Sequence, residues 1–301
     1  MMFTTGTCTH PNYSDSKAGK KGEFHHVYGF VIVEIDSPQT FFIRQITALK
    51  NGSFYDLNNQ VVNGKVSKTS EIDVAVLGDI HVGDHCPLVN KQQMALLDTL
   101  RPKYTMIHDV FNGHSVNDHD KDDPIKAYEL EKSGLNSLSG EISDMFVWIK
   151  SMLKYNLVFV SSNHNDWLDR YIKSKDWKRS IKNAPTYIQC ADILLKGLAP
   201  KGLIAYFIDN EFGRKVRTLG RDESFRVNKW ELSQHFDVGV NGSRGSLGQF
   251  RKMSTKMIGG HSHTPSRTDG VLYVGTSTKL RVGYNIGASS CEYRDWETHY
   301  Q

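Results

Sequence analysis

The stretch Ile72–His81 (IDVAVLGDIH) joins a short apolar run to a polar Asp-x-His string. The run Ile72–Leu77 has the pattern of a short buried strand, and Gly78 permits a tight bend directly after it. Predicted strands and helices alternate from this point onward. The further strands are Tyr104–Val110, Leu157–Val160, Leu203–Ile208, Trp230–His235, Lys256–Ile258 and Gly270–Val274. The helices are Lys91–Leu100, Pro124 to about Lys154 with a break near Ser133-Gly134, and Trp167–Leu195 with an interruption near Pro185. This alternation predicts a layered α/β domain over residues 71–301.

Residues 1–70 differ in pattern and predict a small β-rich N-terminal region. His26–Ile35 and Thr40–Ile46 are predicted strands, and Asn51-Gly52 and Asn63-Gly64 are predicted turns. Thr9–Lys21 has few apolar residues and is predicted to be a loop.

The composition is that of a globular chain, with 39% hydrophobic and 23% charged residues among 301. No run approaches the ~20 apolar residues that span a bilayer, and the polar first residues do not resemble a signal peptide. These features predict a cytoplasmic protein without a membrane partner. The four cysteines form no CxxC pair, so neither a zinc ribbon nor a disulfide framework is predicted. The net charge of +4 is compatible with a phosphate-rich partner.

Five polar strings fall at or just beyond predicted strand ends. They are Gly78-Asp-Ile-His81, His108-Asp109, Asn163-His-Asn-Asp166, His235 with Asp237, and Gly260-His-Ser-His263. A lone Asp-x-His string usually reflects a surface histidine, but five at strand ends indicate a common site, because ligands of open α/β sheets bind beyond the carboxyl ends of strands. In an extended backbone, alternate side chains point the same way, so each Asp-x-His or His-x-His pair can face one centre.

Carboxylate, imidazole and amide ligands without thiolate suit divalent ions such as Mn²⁺, Fe or Zn²⁺. The candidate ligands are Asp79, His81, Asp109, Asn163, His235, His261 and His263. They are too many for one tetrahedral ion, so two ions are predicted. Two ions ~3.5–4 Å apart can clamp a phosphoryl group, and a bridging hydroxide can attack phosphorus in line.

In this order, the strings resemble the motifs of the calcineurin-like metallophosphoesterase superfamily over roughly Ile72–Thr276. The resemblance implies a two-sheet β-sandwich flanked by helices. It also implies roles for the residues: Asp79, His81 and His263 bind the first ion, Asp109 bridges both ions, and Asn163, His235 and His261 bind the second. His164 would act as a catalytic residue that stabilises charge or protonates the leaving oxygen. The sequence departs from the family pattern in having His108, Ser162, Asn165 and Phe236 beside the ligands, which leaves the loop geometry and the role of Asp166 open.

Two further residues are candidates for substrate binding. Arg244, in the glycine-rich loop Asn241–Ser246, can make a bidentate phosphate contact, which the position of the loop soon after His235 favours; the alternative is a turn into the next helix. His114 lies in the His- and Asp-rich segment His108–Asp123, with Asp118 and His119. These side chains can reach substrate or buffer protons, and the alternative is a solvated loop.

The superfamily contains phosphatases, diesterases, nucleotidases and nucleases, so the metal ligands do not decide the substrate. The strings Gly6-Thr-Cys-Thr, Lys17-Ala-Gly-Lys-Lys21, Glu23-Phe-His-His26 and Gly275-Thr-Ser-Thr-Lys-Leu-Arg281, with the loop of Arg244, resemble tailed-phage pre-early DNA-transfer proteins linked to host DNA degradation. This narrower resemblance implies a DNase in the host cytoplasm that uses two divalent ions, Mn²⁺ first and Mg²⁺, Fe or Zn²⁺ as alternatives.

Two other functions stay open: a phosphatase or diesterase for a small phosphorylated molecule, and a non-catalytic phage DNA-transfer scaffold with structural ions. DNA is the expected partner. Homo-oligomerisation and binding to phage or host proteins are left open. The expected final strand is hard to read in Cys291–Gln301, which leaves open whether the chain is part of a longer protein.

Overall fold

The computed structural model describes residues 5–38, 40–69, 72–117, 123–239, 242–253, 255–268 and 270–279. The chain divides into two compact units. The first runs to Ile72 and includes Thr99–Arg101, and the second comprises Asp73–Asp98 and the residues from Pro102 onward. Separate folding of residues 1–70 and 71–301 as domains stays a prediction. Among the described helices, none combines the length and the apolar character needed to cross a bilayer.

The first unit is built from two antiparallel sheets and one helix. Strands β1 (Gly29–Ser37) and β2 (Thr40–Thr47) form a hairpin, and β3 (Phe54–Asp56), β4 (Asn59–Val62) and β5 (Lys65–Lys68) form a three-stranded sheet. Between β4 and β5 the turn has both Asn63 and Gly64 at positive φ, as a type I′ hairpin turn requires.

The prediction of a loop over Thr9–Lys21 is wrong in its last part, because helix α1 (Lys17–Phe24) begins there. The Ser16 hydroxyl accepts a hydrogen bond from the Gly19 N–H at 3.0 Å and caps the helix. The helix buries only Gly19, so it has no apolar face by which the sequence pattern could reveal it.

The second unit contains a parallel sheet with helical crossovers. Its strands are β6 (Ile72–Val76), β7 (Pro102–Ile107), β8 (Leu157–Val160) and β9 (Val216–Leu219), in that order across the sheet. The helices between them are α2 (Pro87–Leu100), α3 (Pro124–Ser133), α4 (Leu138–Ser151), α5 (Asn163–Ser174), α6 (Ala184–Leu195) and α7 (Leu203–Phe212). The prediction of an α/β fold class is therefore confirmed.

A second, mixed sheet lies in the same unit. Its strands are β10 (Arg226–Val227), β11 (Trp230–Glu231), β12 (Lys256–Gly259), β13 (Ser266–Thr268) and β14 (Val271–Tyr273), arranged in the order β10-β11-β12-β14-β13. The short helix α8 (Leu247–Phe250) packs in a cluster with Phe236, Met257 and Tyr273.

Strand β8 shows how the layers are held together. Leu157 and Phe159 belong to a core cluster built mainly from the helices, whereas Val158 and Val160 belong to a cluster with Leu232 of the second sheet region. All four β8 side chains are almost fully buried. A strand that alternates between two apolar environments is a central strand with a covered surface on each face.

The strand predicted at Leu203–Ile208 is wrong, because this segment forms the start of α7. Ile204, Ile208 and Phe212 recur every four residues on the buried side of the helix, and an apolar run of six residues cannot separate a helix from a strand by its periodicity. The carboxylate of Asp169 accepts the Leu203 N–H at 3.0 Å and so satisfies one of the free donors at the helix start.

The strand predicted at Trp230–His235 is shorter than expected. Strand β11 ends at Glu231, whose carboxylate accepts the backbone N–H of Ser233 at 3.2 Å. A backbone donor bonded to a side chain is not free to extend the sheet ladder, so the segment that leads to His235 is irregular.

Candidate metal centre

The polar strings of the second unit follow strand ends. Asp79 and His81 come after β6, Asp109 after β7, and Asn163 opens α5 just after β8. His261 and His263 follow β12, which is paired in parallel with β11 and β14. Parallel strands carry their carboxyl ends at one edge of a sheet, so the fold brings these distant side chains to one place.

Asp79, His81 and His263 form a first group whose ligand atoms all lie within 4.8 Å of one another. The Nε2 atoms of His81 and His263 are 3.3 Å apart, and His263 Nε2 is 3.6 Å from Asp79 Oδ2. Two ligands of one tetrahedral ion bound at about 2.0–2.1 Å lie roughly 3.3 Å from each other. The spacing therefore suits one shared cation.

A second group consists of Asp79, Asp109 and His235. His235 Nε2 lies 2.9 Å from Asp109 Oδ2, and His235 Nδ1 lies 3.9 Å from Asp79 Oδ1. Asp109 Oδ2 is also 3.6 Å from His81 Nε2. Asp109 thus stands between the two groups, the place that a residue shared by two ions would occupy.

Asn163 and His261, the other two predicted ligands, lie outside both of these groups. The Asn163 Oδ1 atom is buried without a hydrogen-bond partner among the described residues. His261 is in none of the three ligand groups found in the described part of the chain, but its ring lies 5.4 Å from that of His235. The His261 N–H donates to Asp79 Oδ1 at 3.2 Å, so this residue adjoins the centre through its backbone.

His164 forms a third group with His81 and Asp109. Its Nδ1 lies 2.6 Å from the carbonyl oxygen of Asn112, and since a carbonyl only accepts, Nδ1 carries the proton. The Trp167 ring packs against it, with the ring centroids 3.8 Å apart and the planes tilted by 31°. These contacts hold the ring and leave Nε2 as the nitrogen with a lone pair.

The residues fit a divalent ion because the centre contains buried polar atoms without partners. Among the described residues, these include Asp79 Oδ2, His81 Nδ1, Asp109 Oδ1 and Asn163 Oδ1. A buried polar atom left unsatisfied costs about 1–3 kcal/mol, and such atoms are rare in native proteins. Oxygen and imidazole donors without sulfur suit hard-to-borderline cations. The clusters can therefore bind metal ions.

The electrostatics of the metal-free centre agree with this interpretation. Burial raises the pKa of Asp79 to about 7, holds the pKa of His81 well below its usual range and lowers that of His263 to about 4. Burial acts to lower the pKa of His235, but Asp109 and Asp79 outweigh it and raise that pKa to about 9. In the metal-free protein, a protonated His235 thus supplies the positive charge that a bound cation would replace.

The backbone around the ligands is unusual. His81, Asp109 and His261 have positive φ values of 47°, 45° and 71°. Such conformations cost non-glycine residues on the order of 1–3 kcal/mol and concentrate at functional sites. A Cβ on Gly260 would lie 2.2 Å from Asp79 Oδ1, so only glycine permits the chain to pass this carboxylate.

A cleft of about 900 Å³ opens onto the centre. Arg244 and His114, the two predicted substrate-binding residues, line it together with Asp109, Asn163, His164, His261 and His263. Arg244 is exposed, and His114 Nε2 contacts Asp84 Oδ2 at 2.9 Å. Burial acts to lower the pKa of His114, but the bond to Asp84 outweighs it and raises the pKa. Asp118, His119, Asn241, Arg281 and Cys291–Gln301 lie outside the described residues.

No role was predicted for His108 beside Asp109, and the structure places it fully buried beside the centre. Its ring stacks on that of His235, and the two Nδ1 atoms are 3.4 Å apart. Burial lowers the pKa of His108 to about 3, so it is neutral and can orient His235 through this contact. The sequence signal that could have assigned His108 to the centre is its position directly before Asp109.

Arg221 was also missed. Its guanidinium donates to both carboxylate oxygens of Asp237, at 2.7 and 2.9 Å, and to Asp166 Oδ2 at 2.7 Å. It therefore ties the loop after His235 to helix α5. The open question about Asp166 is answered by this pair, because His164 is held by the Asn112 carbonyl instead. Arg221 follows β9, and that strand was not predicted.

The fold and the centre together define an α/β protein with buried aspartate and histidine groups suited to divalent ions. The chain is similar to Protein A1 of Escherichia phage T5, with 32% identity over 307 aligned residues that cover 96% of this chain and 55% of that protein. It is thus related to a phage protein, and it spans about half of that relative's length. No family model matches the chain, and no solved structure matches it.

Proposed function

We propose that the chain is a metal-dependent phosphodiesterase of metallophosphoesterase type that hydrolyses DNA during phage infection. The observation that carries the proposal is the convergence of Asp79, His81, Asp109, His235 and His263 beside one cleft that Asp109 and His263 line. Among the described residues, the buried oxygens Asp79 Oδ2 and Asp109 Oδ1 have no hydrogen-bond partner there. The order of these residues along the chain follows the superfamily motifs. The similarity to a phage protein supports the phage setting.

The layered fold supports the same proposal. Val158 and Val160 of the parallel sheet share a core cluster with Leu232, beside the second sheet, and the helices share the opposite cluster with Leu157 and Phe159. A pair of facing sheets with helices outside is the sandwich that the resemblance implies.

Asp79, His81 and His263 would hold one ion, Asn163, His235 and His261 the other, and Asp109 would contact both. When bound, the pair of divalent ions supplies Lewis acidity toward the phosphoryl oxygens and lowers the pKa of a bound water. We propose Mn²⁺ as the native metal, with Mg²⁺, Fe and Zn²⁺ as alternatives, because oxygen and imidazole ligands accept all of them.

His164 is placed to move a proton. Its Nδ1–H is bonded to Asn112 and its ring is fixed against Trp167, so Nε2 can donate to the leaving oxygen once it is protonated. Burial lowers the pKa of His164, and an anionic phosphodiester beside it would favour the protonated form. Arg244 provides a guanidinium that can bind two phosphate oxygens.

The test is hydrolysis of plasmid DNA and of bis-p-nitrophenyl phosphate by the purified chain, in EDTA and then with Mn²⁺, Mg²⁺ or Zn²⁺. We expect DNA cleavage only with metal. Turnover of the small diester with intact plasmid would favour a small-molecule diesterase, and bound metal without either activity would favour the scaffold. Either result would refute the DNase proposal.

Two variants separate metal binding from proton transfer. Asp109→Asn should lose both metal and activity, with Asp222→Asn, an exposed aspartate, as its control. His164→Ala should keep its metal content but lose about 10²–10⁴-fold in rate, the usual contribution of a general acid. His10→Ala, at an exposed histidine, is the matched control.

A further inference from the structure

Helix α5 continues the cleft away from the metal centre. His164 and Trp167 line the cleft itself, while Tyr171 and Lys175 line a second cavity of about 350 Å³. Residues 167 and 171 are four apart and so lie along one side of α5, and Lys175 follows directly after the helix in an extended conformation. The two cavities share His114 and Asn117 in their walls, so they adjoin.

The second cavity is bordered by a strongly basic segment of the chain. The ten residues Lys173–Lys182 (KSKDWKRSIK) contain five basic residues and one acidic residue. Their formal charge of +4 equals that of the whole chain, so all other residues together are neutral. Lys173, Lys178 and Arg179 are exposed, and Arg179 lines the cavity.

The positive charge of this segment is available to an anionic ligand, because its ion pairs are exposed. Lys178 lies 4.0 Å from Asp176, and Lys182 lies 3.7 Å from Glu131, with lysine side chains that are 70% and 45% exposed. Exposed pairs of this kind are worth about 0–1 kcal/mol, so a polyanion can displace them.

We infer that the α5 face from His164 to Lys175, with Lys173–Lys182, binds the stretch of single-stranded DNA that adjoins the cleaved bond. We call this surface the α5 track. The inference rests on the proposed function, which it deepens by assigning the surface that holds the DNA and by making a single strand the form that is bound.

The dimensions and chemistry of the track fit this ligand. At a rise of 1.5 Å per residue, the ten helical steps from His164 to Ser174 cover about 15 Å, enough for several phosphates of a strand. Sites for single strands combine a basic groove with aromatic side chains. Here Trp167, in the wall of the cleft, supplies an aromatic side chain, and Lys175 and Arg179 supply the charge.

The experiment measures binding of a fluorescent single-stranded oligonucleotide of about 16 nucleotides, the upper range for such sites, in EDTA so that it is not cleaved. Arg179→Glu should raise Kd by about tenfold and lower the slope of log Kd against log salt by about 0.7–1, the share of one phosphate contact. Arg179→Lys should restore most of the affinity.

The control is Lys215→Glu, which changes the charge equally at an exposed residue before β9, at the opposite end of the strand from the ligands. It should change Kd less than about twofold, as expected for a charge without a phosphate contact. Equal loss in both variants, or no binding by the unaltered protein, would overturn the inference.

The proposed activity is read separately, from hydrolysis of plasmid DNA by the unaltered protein with Mn²⁺. If this hydrolysis fails while Arg179→Glu still weakens DNA binding selectively, the proposed function is refuted and the track stands. If hydrolysis succeeds and the two glutamate variants bind alike, the track is refuted and the function stands.

Discussion

Two buried carboxylates of the second unit have opposite surroundings. Glu231 accepts the backbone N–H groups of Phe225 and Ser233, the hydroxyls of Ser224 and Ser233, and the Nε–H of Arg226. Asp79 accepts the N–H of His261 on one oxygen, and its other oxygen has no partner in the described part of the chain.

The pKa shifts of the two groups diverge in the same way. Burial acts to raise the pKa of Glu231, but its hydrogen bonds outweigh burial and lower the pKa to about 2. For Asp79, burial dominates and raises the pKa to about 7. The chain can thus satisfy a buried carboxylate where its role is structural. The bare oxygen of Asp79 is therefore better explained by a ligand than by a failure of packing.

The largest effect should come from Glu231, the buried carboxylate whose oxygens are fully hydrogen-bonded. We expect Glu231→Gln to lower the free energy of unfolding at pH 7 by about 3 kcal/mol, the equivalent of its pKa shift. Because the folded pKa is depressed, this stability is present above about pH 4.5 and is lost as pH falls toward 2. Urea unfolding across pH 2–7 measures it.

Glu129→Gln, at an exposed glutamate, is the control and should change stability by less than about 0.5 kcal/mol. A Glu231→Gln variant that matched this control would show that the hydrogen bonds around the carboxylate do not stabilise the fold.

The stability of the protein around Asp79, the second carboxylate of the comparison, should respond to metal instead. Mn²⁺ at a hundred times its Kd should stabilise the unaltered protein by about 2.7 kcal/mol, and Asp79→Asn should abolish the gain. In EDTA, the variant should be at least as stable as the unaltered protein at pH 7. A raised folded pKa means that the ionised carboxylate destabilises the fold above about pH 4. Thermal unfolding with and without metal tests both parts, and a variant that is less stable in EDTA would contradict this account.

The strand-end positions of the site could be predicted from the sequence. Asp79 and Asp109 each follow a short apolar run, and local patterns of this kind are governed by burial on both faces of a strand. Their partners could not be predicted from the sequence alone. The His261 N–H reaches Asp79 across 182 positions of the chain, and Arg221 reaches Asp166 across 55. Such contacts depend on tertiary packing rather than on local pattern.

Errors in the predicted elements arose where local signals were ambiguous. The run Leu203–Ile208 is apolar throughout, so neither a period of two nor one of 3.6 stood out, and its helix is revealed only by continuation to Phe212. Strand β9 is four residues long and contains Arg217 and Thr218, which left it too short and too polar to be recognised.

Arg221 links the hydrogen-bonded polar groups of the fold to the metal centre. Its ion pairs are satisfied, and they hold the loop that carries His235. We expect Arg221→Lys to reduce Mn²⁺ affinity or phosphodiesterase activity by about 10–100-fold, the usual cost of removing a residue that orients metal ligands. Lysine keeps the charge but cannot reproduce the bidentate contact with Asp237.

Manganese titration and steady-state kinetics measure this effect, with Arg214→Lys at an exposed arginine as the control. Retention of both properties in Arg221→Lys would show that the loop after His235 is positioned by its own packing.

The smallest effect should come from His114, a half-satisfied group at the cleft. Asp84 Oδ2 contacts the Nε2 atom of His114, and Glu141 accepts the His114 backbone N–H at 2.7 Å. The positive charge of Lys126 acts to lower the pKa of the His114 ring. Since the pKa of His114 is raised, its positive charge is present below that pKa and is lost as pH rises through it. The KM for DNA should therefore rise with pH, by up to about fivefold, because a partly exposed charge pair is worth about 0.2–1 kcal/mol. Asp84→Asn should move this rise to lower pH, since it removes the carboxylate that favours the charged ring. His114→Gln should abolish the rise. An unchanged pH profile of KM in both variants would mean that His114 only supports the wall of the cleft and does not contact the substrate.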